Sequence, residues 1–127
     1  GINDVTRISK GATINGDLIS SSDIRVDGVI NGKVLSDGKI VVGEQAGLSG
    51  SLFCTNLDFW GKMEGDIYVK DTLCIKSTAT VNGNIHVNKL QVEMGAQING
   101  TCKMISEQEY EDLASKVNVK RVQAKEL

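Results

Sequence analysis

The sequence contains no proline, a single histidine and only three cysteines, and each scarcity removes a class of protein. Proline cannot donate to a ladder of inter-strand hydrogen bonds, so a fold that is sheet on every side has few places for it. With His86 as the sole imidazole, a trio of zinc-binding histidines is excluded. Cys54, Cys74 and Cys102 are odd in number, form no CxxC pair and lie at or beside apolar positions. They read as small buried hydrophobes in a reducing compartment. Scattered thiols and one imidazole do not supply a structural zinc site, and neither metal nor cofactor is expected. Excess charge is also missing: the formal net charge is −2, with acidic and basic residues mixed along the chain. Nucleic-acid binders concentrate Lys and Arg on one face, so no nucleic-acid partner is expected. The apolar runs are a few residues long, too short to span a membrane, and no secretory n-region and h-region stands at the front. Because the chain opens on Gly1 and not on Met, its native N-terminus is expected to lie elsewhere.

Glycine, by contrast, is abundant, at 14 of 127 residues, and it is placed periodically. The phrase ATINGDL beginning at Ala12 returns as AQINGTC at Ala96, 84 residues later. Between them runs a ladder anchored on Gly16, Gly32, Gly50, Gly65, Gly83 and Gly100, with steps of 16, 18, 15, 18 and 17 residues. Two residues before each anchor stand Ile14, Ile30, Leu48, Met63, Val81 and Ile98. Two after it stand Leu18, Val34, Leu52, Ile67, Ile85 and Cys102. Four before it, every position is Ala or Gly. A second apolar pair follows each of the first five anchors: Ile24/Val26, Ile40/Val42, Leu57/Phe59, Leu73/Ile75 and Leu90/Val92. The variation in repeat length falls mainly after this second pair, where a corner absorbs insertions and a strand does not.

Apolar residues two apart carry the period of a strand. The four Asn-Gly pairs are hairpin signals taken singly, but a meander needs no matching columns every 17 or so residues. A solenoid does. Each coil stacks on the previous one at ~4.8 Å, so that equivalent residues lie above one another and six coils build a column of roughly 29 Å. The columns at −2, +2, +4, +8 and +10 from the anchor then point inward, while Asp17, Lys33, Asp66 and Asn84 face solvent. The Ala/Gly column marks a tight corner, and the Asn before the anchor is a residue that tolerates positive φ there. The expected fold is all-β, a parallel β-helix over residues 8–105, with residues 1–7 a flexible N-terminal tail.

Residues 106–127 differ in kind. Ser106 and Glu109 have the spacing of a capping box, and Tyr110, Leu113, Ala114 and Val117 form an i, i+3, i+4, i+7 stripe. A short amphipathic helix is expected, leading into the charged VNVKRVQAKEL. Whether its apolar side covers the last coil or frays is left open.

With these columns in view, the chain resembles the bactofilins, bacterial cytoskeletal proteins of the polymer-forming type. The resemblance rests on TRISKGATINGDLISSSDIRVDGVINGKV, on GDIYV and GNIHV, and on the closing GAQINGTCKM, over residues 6–105. It implies a right-handed β-helix of about six windings with flexible ends, and filaments assembled end to end without nucleotide. It further implies a cytoplasmic location, commonly under the membrane, with recruitment of cell-wall or morphogenesis proteins. Some members carry a hydrophobic membrane-targeting tail ahead of the β-helix, and nothing of that kind is visible before Arg7.

A physical route to assembly stands beside the resemblance. A solenoid has two open ends, each with unpaired backbone groups beside a slice of apolar core, and monomeric solenoids usually close them with polar caps. The candidate polymer interface is therefore Ile8, Ile14 and Leu18 at one end and Ile98, Cys102 and Met104 at the other, with a second copy of the chain as partner. Trp60, in a corner column otherwise filled by Gly11, Asp27, Gln45, Thr78 and Gly95, is a candidate lateral or partner contact; the alternative is local packing. An enzyme fits less well, since hexapeptide acyltransferases have six-residue units and usually a histidine at a subunit interface. His86 alternates with Ile85 and Val87 and is expected on the outer surface. Glu64 and Asp66 form an outward pair expected to be solvated, not a general acid and base. The function expected is a non-catalytic structural filament. The main alternative is a non-polymerising scaffold or adaptor whose C-terminal helix caps one end.

Overall fold

The computed structural model describes residues 4–126, with side chains described through Val117. The strands are β1 (Val5–Ile8), β2 (Thr13–Asn15), β3 (Leu18–Ser20), β4 (Asp23–Val26), β5 (Val29–Ser36) and β6 (Lys39–Val42). They continue as β7 (Gly47–Phe59), β8 (Lys62–Ile75), β9 (Thr80–Val92) and β10 (Gln97–Met104), followed by helix α1 (Glu107–Glu126). Every strand pairs in parallel with its counterpart one winding away, giving a β-solenoid of about six windings.

The register is the one the repeat predicts. Ile14, Ile30, Leu48, Met63, Val81 and Ile98 stack as one row. Ile8, Val26, Val42, Phe59, Ile75 and Val92 stack as another. These rows are the core, and their middle members are sealed from water. The first winding begins earlier than the sequence suggests, because Val5–Arg7 lie in β1 and not in a tail; Gly1–Asn3 lie outside the described residues.

The anchor glycines are required for two reasons at once. Their φ values lie between 133° and 155°, a region that L side chains rarely adopt. From Gly32 onward, a Cβ would also overlap the carbonyl oxygen of the glycine one rung before it. The preceding asparagines have a different part from the one expected, since no non-glycine residue among those described has positive φ. Their amides build a ladder along the outside instead: Asn31 Nδ2 donates to Asn15 Oδ1 (2.9 Å) and Asn99 Nδ2 to Asn82 Oδ1 (2.8 Å). Outward acids act likewise, with Asp17 and Asp66 accepting from the backbone N–H of Lys33 and Asn84 on the next rung.

Helix α1 begins with the expected capping box. Glu109 N–H donates to Ser106 Oγ (3.1 Å), and Ser106 N–H to Glu109 Oε1 (3.2 Å). Its apolar stripe does not lie across the end of the solenoid. Tyr110, Ala114 and Val117 are buried against Leu35 and Phe53 on the solenoid's flank, with Tyr68 and Leu113 at the margin. Lys70 Nζ and Glu111 Oε1 pair across this contact at 2.8 Å. The charged segment after Val117 lies outside the residues whose side chains are described.

The candidate assembly interface at the open ends

Each end of the solenoid leaves a set of strand edges with a partner on one side only. At the N-terminal end these are β1, paired with β4, and β2 and β3, paired with β5. At the C-terminal end they are β10 and the second half of β9, Lys89–Val92. Backbone N–H and C=O groups along such edges are templates for a further strand.

The core rows also run out uncovered here. Ile67, Ile85 and Leu52 are 0% exposed in the row that ends at Cys102, which is exposed. The row holding Val69 and Val87, both 0% exposed, ends at Met104, 55% exposed. The sequence-predicted residues thus fall into two groups at opposite ends: Ile8, Ile14 and Leu18, half-buried, and Ile98, Cys102 and Met104, half-buried to exposed. Sequence reasoning missed Leu90 and Val92, which complete the C-terminal slice; Val92 is 45% exposed. Their place in the second apolar pair of the last full repeat was the available signal.

The two ends differ chemically. The N-terminal slice carries hydroxyls among its apolar residues: Ser20 Oγ and Ser22 Oγ lie 2.9 Å apart, with Thr6 Oγ1 at 3.4 Å from each. Behind them Ser36 is buried and donates to Ser22 O at 2.7 Å. At the C-terminal slice stand Leu90, Val92, Ile98, Cys102 and Met104. Partial burial raises the Cys102 thiol above its ordinary value, so it stays protonated and apolar near neutral pH. The three cysteines are not alike in burial, as the sequence suggested. Cys54 alone is buried, and desolvation pushes its thiol strongly up; Cys74 faces outward beside Gln91 and is half-buried.

Trp60 is half-buried at its corner, with Lys76 Nζ 5.1 Å from the ring centroid, and is remote from both ends in the stack. His86 points outward and stacks on Tyr68 at 4.5 Å. Glu64 and Asp66 are also outward, serving as ladder acceptors for Asn82 and Asn84. Among the described residues no three His, Cys, Asp or Glu side chains gather as metal ligands, and no helix is long and apolar enough to cross a membrane.

The described residues thus form a parallel solenoid with a bare slice of core at each end. The family described as bactofilin, polymer-forming cytoskeletal, matches residues 6–103. The chain is a bactofilin. Bactofilin BacO of Myxococcus xanthus is 22% identical over 99 residues, covering 78% of this chain and 79% of the relative. No solved structure matches. Membership makes this a protein of a structural, cytoskeletal family whose description is polymer formation.

Proposed function

We propose that this bactofilin assembles end to end through its open ends into filaments that need no nucleotide. The filament in turn serves as a scaffold for cell-shape or cell-wall proteins in the cytoplasm, at the inner face of the membrane where it is recruited there. Its role is structural and not catalytic. The observation that carries the reading is the abrupt loss of cover along continuous core rows, from Val69 and Val87 at 0% exposure to Met104 at 55%. Such a row gains burial only if another copy continues it, at roughly 25 cal/mol for each Å² of apolar surface removed from water. The strand edges at the two ends, β1, β2 and β3 at one and β10 with Lys89–Val92 at the other, supply backbone groups for such a contact.

Negative-stain electron microscopy of the purified chain in physiological salt, with no nucleotide or metal added, tests this directly. Long thin filaments are expected. A uniform field of small particles would overturn end-to-end assembly and favour a scaffold or adaptor that does not polymerise.

A further inference from the structure

The chain's three methionines divide sharply by position. Met63 is 1% exposed in the middle of its core row, whereas Met104 is 55% and Met94 95% exposed. The two exposed ones share the C-terminal end. Met104 is the last member of an inward row and pairs with Val87 alone. Met94 sits in the turn Glu93–Ala96 that closes the last corner, where Ala96 N–H donates to Glu93 O at 3.3 Å.

We propose that Met104 is an oxidation site that switches assembly, its sulfoxide preventing a second copy from covering the C-terminal end. This rests on the end-to-end reading above. With hydrogen peroxide as oxidant, a lone pair on Met104 Sδ attacks one peroxide oxygen. The S–O bond forms, the O–O bond breaks, and the second oxygen leaves as water after proton transfer. Sulfur is oxidised by two electrons and the peroxide is reduced. The thioether is soft and adaptable, able to fill an irregular apolar contact; the sulfoxide is polar and chiral, and its oxygen must be stripped of water when the slice is covered. Methionine sulfoxide reductases reverse the change. Met94 projects from a corner, so its sulfoxide stays in water and leaves stacking alone. Because stacking buries Met104, oxidation acts on unassembled chains and filament tips: growth stops, while formed filaments persist.

The test treats the full chain with hydrogen peroxide below its assembly concentration, then with dithiothreitol to return thiol disulfides while leaving methionine sulfoxide. Peptide mass spectrometry reads each methionine, and sedimentation reads the critical concentration. Oxidation at Met94 and Met104 but not Met63 is expected, with a rise in critical concentration of about tenfold or more, equivalent to about 1.4 kcal/mol of lost contact. Met104→Leu should keep its critical concentration after peroxide, and Met94→Leu should remain sensitive. Unchanged assembly with Met104 fully oxidised, or equal sensitivity of Met104→Leu, would overturn the switch. If the untreated chain forms no polymer at all, the end-to-end reading itself falls, and the switch with it.

Discussion

Phe53 and Tyr68 stack face to face on adjacent rungs, their ring centroids 4.3 Å apart and their planes 6° apart, on the outside of the solenoid. His86 extends the stack at 4.5 Å, and Tyr110 of α1 meets Phe53 edge-on at 6.5 Å. The outward residues Leu35, Phe53 and Tyr68 therefore form a second apolar surface, closed by a helix that returns along the flank. The C-terminal slice is left open by the same arrangement.

The first prediction concerns this closure. Tyr110 is 5% exposed, and replacing a buried aromatic by Ala costs about 3–5 kcal/mol. That loss falls on a helix docked by a few side chains, so Tyr110→Ala should undock α1 and leave the solenoid folded. Hydrogen exchange should show amides of residues 107–117 losing protection while β7, β8 and β9 keep theirs. Cooperative loss of protection across both would show that the helix and the solenoid form one folding unit.

Two glycines give opposite expectations. A Cβ at Gly65 would overlap Gly50 O, and Gly65 has φ 133°, whereas a Cβ at Gly47 meets nothing within 4 Å. Gly47→Ala should be neutral or stabilise by about 0.4–1 kcal/mol through the unfolded chain. Gly65→Ala should cost more than about 1–3 kcal/mol, since backbone strain and rung displacement add. Urea midpoints of the two variants decide it; equal midpoints would mean that rungs separate easily.

The stack was legible in the sequence because its cause is local and repeated: each inward residue recurs at nearly the same offset, so one misread rung is corrected by five others. What escaped the reading arose once. The outward row Leu35, Phe53, Tyr68 is apolar in plain sight, but alternation assigns it to solvent, and only the return path of α1 explains it. The asparagines were located correctly and explained wrongly, because a preference for positive φ belongs to one residue while an amide ladder needs its neighbours on adjoining rungs. The end residues were found from the open geometry of any solenoid, which says where a slice is bare and not that Leu90 and Val92 share in it.

Thiol chemistry offers a check that requires no substitution. Burial pushes the Cys54 thiol far up, so little thiolate forms near neutral pH and none of it is accessible. Iodoacetamide at mildly alkaline pH should label the accessible Cys102 and Cys74, and Cys54 only after unfolding. Under assembly conditions Cys102 should become protected while Cys74 labelling is unchanged. Persistent labelling of Cys102 inside sedimented polymer would remove it from the interface.

The last prediction separates ends from middle by placing the same charge in both. At Met104, 55% exposed, an arginine can keep its guanidinium in water in the isolated chain. Met104→Arg should therefore leave the thermal unfolding of the monomer nearly unchanged, and Leu18→Arg, on the half-buried N-terminal slice, should do so with a modest loss. Stacking would force either charge into a dry contact, so both should abolish filaments in electron micrographs. Ile67 is 0% exposed with rungs on both sides. An uncompensated charge there costs about 3–5 kcal/mol, and the lost side-chain packing adds about 2–5 kcal/mol. Their sum is comparable with the entire stability of a typical domain, about 5–15 kcal/mol. Ile67→Arg should accordingly lose the β-sheet circular dichroism signal at room temperature, which neither end variant does. Normal filaments from Met104→Arg would place Met104 outside the contact and leave the N-terminal slice as the end to examine.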